Sequence, residues 1–164
     1  MKKYIERESY KHLYAKNLLA KWLRKIDENN DYCNFSQLNW RSNYGVFEEL
    51  KFYETSDLYY FENSECLNGK GKYKDTNQNN WFDKNFNRGR ILFVPDIAIF
   101  HKGTPIYFLE VVNSNPVSAE KLYNIKKFFD GYMLNIYEIN ASDILKYDKT
   151  IVPENLEMKL IHRQ

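Results

Sequence analysis

The stretch ILFVPDIAIFHKGTPIYFLEVV, residues 91–112, decides how this chain is read. It holds two nearly apolar runs, 91–100 and 106–112, joined by a short polar connector containing Gly103, which is the pattern of a β-hairpin. Strands this apolar are expected in the middle of a sheet, covered on both faces. Each nevertheless carries one carboxylate, Asp96 in the first and Glu110 in the second. With the turn centred near Gly103, Phe100 faces Ile106, Ala98 faces Phe108 and Asp96 faces Glu110. Directly opposed residues project from one face with Cβ atoms roughly 5 Å apart. Two buried like charges at that spacing need compensation. A divalent cation supplies it, because Mg²⁺ binds one or two carboxylates and completes its shell with water or phosphate oxygens. The plainer alternative is a Lys or Arg partner, with Arg90 a candidate.

Outward from the hairpin, residues 4–28 show helical periodicity. Ile5, Glu8, His12, Ala15, Leu19, Trp22, Leu23 and Ile26 share one face, so Glu8 and His12 interrupt an otherwise apolar stripe. Residues 46–54 alternate as a strand with Val46, Glu48, Leu50 and Phe52 on one side, and 57–61 extend the sheet after a break. Residues 62–90, rich in Gly, Asn and Lys, read as a loop or irregular insertion within about 57–90. Asn115 and Pro116 predict a helix start, Asn as N-cap and Pro as first residue, running to about Asp130 with Gly131 just past its end. Lys121 falls on the apolar side of that helix with Val117, Ile125 and Phe128. Residues 132–139 read as a strand and a short helix starts at Ser142. The expectation is one α/β (α+β) domain over residues 1–164, a central mixed sheet flanked by helices in the order α-β-β-β-α-β.

Composition narrows the function classes. With 164 residues the chain is long enough for one core without staples. Two cysteines give no disulfide framework, and with three scattered histidines no zinc-ligand spacing. No apolar run reaches the length of a membrane span, so no membrane partner and an intracellular location, cytoplasmic or nuclear, are expected. The net charge of +2 does not argue for a polyanion partner, but Lys70, Lys72, Lys74, Lys84, Arg88 and Arg90 concentrate positive charge in 68–90.

Pro95-Asp96 on one strand and Glu110-Val111-Val112 on the next resemble the Pro-Asp…Glu-x-Lys motif of the PD-(D/E)XK nuclease superfamily. The element order resembles its restriction-endonuclease-like core. The first helix, ESYKHLYAKNLLAKWL from Glu8, is similar to that of the competence-protein (CoiA-like) branch, in which Glu-x-x-Ser or Thr replaces Glu-x-Lys and a helix Lys follows. Glu110…Asn113-Ser114 followed by Lys121 fits that looser form, whereas Val112 stands where the motif Lys would. The resemblance implies a nuclease, with DNA the expected substrate. Asp96, Glu110 and the Val111 carbonyl would hold Mg²⁺ or Mn²⁺, Lys121 would orient the attacking water, and Glu8, with Glu48 as its competitor, would serve a second metal or its water. His12, Lys16, Lys70, Lys72, Lys74, Arg88 and Arg90 would contact phosphates. Three other readings stay open: a nuclease fold without catalysis that binds nucleic acid or a partner, an accessory subunit or homodimer using aromatics such as Tyr59, Tyr60 and Trp81, and an unrelated α+β domain whose carboxylates form internal salt bridges.

Overall fold

The computed structural model describes residues 10–28, 33–35, 38–40, 44–54, 59–61, 91–102 and 104–163. Glu8, Lys70, Lys72, Lys74, Trp81, Arg88 and Arg90 lie outside them. Helix α1 (Tyr10–Glu28) forms where periodicity places it, burying Ala15, Leu18, Leu19, Trp22, Leu23 and Ile26 on one face. Strands β1 (Cys33–Phe35) and β2 (Leu38–Trp40) pair with one another, in a segment given no element from sequence. The main sheet has five strands in the order β10-β9-β8-β7-β3. These are β3 (Tyr44–Glu48), β7 (Ile97–His101), β8 (Thr104–Val112), β9 (Asn135–Asn140) and β10 (Lys159–His162). Only β8 and β9 run parallel, because helix α2 (Ala119–Phe128) lies between them in the chain and returns it to the same end of the sheet. Helix α3 (Ala141–Leu145) follows β9 directly. The β8–β9 register and the β10 edge close a mixed sheet with helices on both faces.

A second, three-stranded sheet has the order β5-β4-β6, from β4 (Phe52–Glu54), β5 (Tyr59–Phe61) and β6 (Ile91–Phe93). The two sheets correct two expectations at once. Residues 46–54 and 91–100 are not continuous strands; both break, and they break side by side. The first turns at Glu49, whose φ of 51° is left-handed. The second turns at Val94-Pro95-Asp96, where Pro95 has no amide to give a ladder. The Glu49 amide donates to the Asp96 carbonyl (3.1 Å), tying the two bends together. One two-stranded ribbon thus leaves the five-stranded sheet and enters the smaller one. Val46 consequently packs in one core while Leu50 and Phe52 pack in the other, not on one shared face.

The alternation of β7, β8 and β9 sorts their side chains cleanly. Ile97, Ile99, Leu109, Val111, Tyr137 and Ile139 pack beneath α1 and α3. Ala98, Phe100, Phe108 and Ile136 pack with Ile125 and Phe129 of the α2 segment and with Phe52 and Phe93 of the smaller sheet. Ala98 does face Phe108, but a bulge between Ile99 and Phe100 sets Phe100 opposite Pro105, not Ile106.

Helix α2 begins later than Asn115-Pro116 suggested. Its N-cap is Ser118, which has extended backbone and a hydroxyl that accepts from the Lys121 amide at 3.1 Å. The helix also ends earlier than Asp130, at Phe128 with Phe129 as C-cap, so Gly131, left-handed with φ 82°, lies two residues beyond the cap. The last strand, β10, had no sequence expectation, and no helix among the described residues is long and apolar enough to cross a membrane.

Candidate functional site

The bend at Val94-Pro95-Asp96 explains why Asp96 is special. The β7–β8 ladder ends at the pair Ile97–Leu109, so Asp96 has left the strand by the point where it would oppose Glu110. Its side chain continues what the backbone abandons: Oδ2 accepts the Val111 amide at 2.8 Å. His12, reaching from α1, closes the arrangement. Its Nε2 lies 2.7 Å from the Val111 carbonyl oxygen and 3.2 Å from Asp96 Oδ2. A carbonyl only accepts, so Nε2 carries the proton and donates to Val111, with Asp96 as second acceptor. His12 was expected to meet phosphate; here it faces inward and holds Asp96.

Glu110 stands next to this cluster on the face covered by α2. It is 3% exposed, and Lys121 Nζ donates to its Oε2 at 2.7 Å. Lys121 thus reaches the carboxylate pair from the following helix, as its place on the apolar side of that helix implied. Among the described residues the buried Glu110 Oε1 atom has no hydrogen-bond partner, although the Asp96 amide also helps to lower the pKa of this carboxyl. Such an oxygen is costly unless something fills its lone pairs.

The electrostatics separate the two carboxyls. Burial pushes Glu110 up to about 7, against the pull of Lys121 and with the help of the Asp96 charge. Burial also acts upward on Asp96, but the His12 hydrogen bond, the Lys121 and His12 charges and the Val111 amide outweigh it and hold Asp96 below its ordinary value. The folded metal-free protein therefore binds the Glu110 proton more tightly than the unfolded chain does. Its stability should fall as pH rises from about 4.5 to about 7, by on the order of 3 kcal/mol. Asp96 acts oppositely: its stabilisation is present above the ordinary value of 3.8 and lost as pH falls below it. Urea titrations in a chelator between pH 4.5 and 8 should show the decline in wild type and a much flatter line in Glu110→Gln; a rise over that window in wild type would refute it.

The other sequence candidates fall around this centre. Lys16 is 1% exposed, and its ammonium donates to Glu49 Oε1 at 2.7 Å, so it faces inward and is paired with a carboxylate. Glu48 shares the face of Val46 but pairs with Arg24 (2.9 Å). Glu49 and Glu138 also hold charged or polar partners at this centre, the Lys16 ammonium and the Val117 amide. Glu49 hides in a segment that reads as uninterrupted strand. Glu138 had a usable signal, a carboxylate in the otherwise apolar 132–139 run. No group of three or more His, Cys, Asp or Glu placed to hold a metal ion occurs among the described residues. A cation here would draw on two carboxylates, a carbonyl and water, which suits Mg²⁺ or Mn²⁺.

Compared with family models, curated proteins and solved structures, the chain matches none.

Proposed function

We propose that the protein is a metal-dependent nuclease that hydrolyses phosphodiester bonds of nucleic acid, DNA in the first instance, on a restriction-endonuclease-like core. The observation that carries this reading is the junction of Asp96 and Glu110: two carboxylates near adjoining strand ends, with a lysine on Glu110 and, among the described residues, no hydrogen-bond partner for its buried Oε1. The order α1, β3, β7, β8, α2, β9 around the sheet adds support, since it is the order expected of that core.

The residues fit a hard divalent cation. Asp96 and Glu110 would hold it with the Val111 carbonyl, whose second lone pair is not needed by His12. When bound, Mg²⁺ or Mn²⁺ supplies an acidified water and charge neutralisation at the phosphate. His12 keeps the Asp96 carboxylate oriented through their shared contact with Val111. Lys121 pulls the Glu110 pKa down against burial without cancelling it, and its ammonium stands ready to orient the nucleophile or meet charge developing on the phosphate.

The partners already held by both carboxylates, Lys121 on Glu110 and His12 on Asp96, favour a second reading, a nucleic-acid- or protein-binding module on the same fold without catalysis. One assay separates the two: wild type and Asp96→Asn are incubated with single- and double-stranded DNA and with RNA, in Mg²⁺, Mn²⁺ or EDTA. We expect cleavage that requires the cation and falls at least ~10³-fold in the variant, the loss of several kcal/mol of transition-state stabilisation. Salt-sensitive binding without cleavage would replace catalysis with the binding role.

A further inference from the structure

Glu138 occupies a position no part of the proposed chemistry uses. It is the register partner of Glu110 across the parallel β8–β9 pair, and both carboxylates are buried, at 8% and 3% exposure. Like charges facing one another across a strand pair repel. Each is instead drawn toward the same segment of chain, the approach to α2 and its first turn. Glu110 receives the Lys121 ammonium; Glu138 Oε2 accepts the Val117 amide at 2.6 Å. Val117 directly precedes Ser118, and the Ser118 hydroxyl accepts the Lys121 amide at 3.1 Å. A continuous line of short contacts therefore runs from β9 through Val117, the Ser118 cap and Lys121 back to Glu110 on β8. A carboxylate at the start of a ten-residue helix is also favoured by the helix dipole.

We infer that Glu138 is a positioning residue: it pins the start of α2 to β9 and so sets the reach of Lys121 onto Glu110. This rests on the role proposed above for Lys121. The contacts divide the work between two neighbouring carboxylates, one meeting the lysine side chain and the other holding the backbone that delivers it. An amide bonded only to water at Val117 would leave the first turn of α2 free to shift while Ile125 and Phe129 keep the rest of the helix packed, and Lys121 would follow that turn.

The test uses the whole chain, metal-free and metal-loaded, uniformly labelled with ¹⁵N. In Glu138→Leu the Val117 amide should exchange about tenfold faster or more, the cost of one lost hydrogen bond. The Lys121 ammonium resonance, assigned by its absence in Lys121→Arg, should disappear as its protected contact is lost. Its kcat should fall about 10–100-fold, as for loss of a group that orients another, with KM little changed. Glu138→Gln keeps an oxygen acceptor and should restore all of these toward wild type. Should Glu138→Leu fail to fold, Val117→Pro removes the same bond from the donor side. The inference is overturned if the Val117 amide keeps its protection in Glu138→Leu. It is equally overturned if that protection is lost while the ammonium resonance and kcat stay as in wild type. Wild type that cleaves nothing would defeat the nuclease reading instead, and the amide and ammonium signals would still decide the role of Glu138.

Discussion

Glu110→Gln is expected to make the metal-free protein more stable at pH 8 while abolishing its metal-dependent cleavage. Both effects come from one atom pair. Above pH 7 the wild-type carboxylate is ionised in a site where burial is the largest influence and pushes its pKa upward, and its Oε1 has no hydrogen-bond partner among the described residues. An amide of the same shape carries no charge to desolvate. Lys121 loses its ion pair in exchange, but its side chain is a quarter exposed and can turn its ammonium to water. The net gain should be about 1–3 kcal/mol, read as a shift of the urea midpoint in EDTA. Cleavage should fall by ~10³-fold or more, because a neutral amide is a poor ligand for a hard cation. A variant less stable than wild type at pH 8 would mean that the Lys121 ion pair outweighs burial. Cleavage that survives would place the metal elsewhere.

Lys121→Ala should lower cleavage by about 10²–10³-fold, the loss expected when one donor aimed at developing charge is removed. Stability should move the other way from Glu110→Gln. Removing one partner of a buried pair strands the other, a cost of about 3–5 kcal/mol when the group stays charged. Glu110 will escape part of that cost by taking up a proton, so the destabilisation should be largest well above pH 7 and small at pH 5. Mg²⁺ should therefore rescue the variant's stability at pH 8 more than it stabilises wild type. Cleavage unchanged in Lys121→Ala would remove Lys121 from the mechanism and reopen the question of what stands in for the lysine missing at Val112.

The pairing of Ala98 with Phe108 was legible because alternation and a short turn fix a hairpin's register. Lys121 was legible as a charge breaking an apolar helical face. What escaped was local conformation. Residues 46–54 keep their alternation straight through Glu49, so nothing in their pattern announces a left-handed residue there. Pro95 did signal a break, yet the apolar run on both sides masked it; Asp96 is consequently a corner residue, held by the Val111 amide, and not a strand residue facing Glu110. Asn115-Pro116 imitates a helix start, but Ser118 makes the bond that caps one. The inward role of His12 and the burial of Lys16 depend on contacts some 80 and 30 residues away, which helical periodicity alone does not encode.

The bulge between Ile99 and Phe100 has a practical use. It takes up an extra residue on the β8 side, so the tip of the hairpin follows its own register while the pairs from Ile97 to Ile99 keep theirs. Lys102, exposed and left-handed with φ 49°, sits at that tip. Six residue steps along the strand separate it from Asp96, about 20 Å at strand spacing. Lys102 is thus a natural attachment point: a fluorophore carried on its side chain would report on the protein in solution at a distance from the carboxylates.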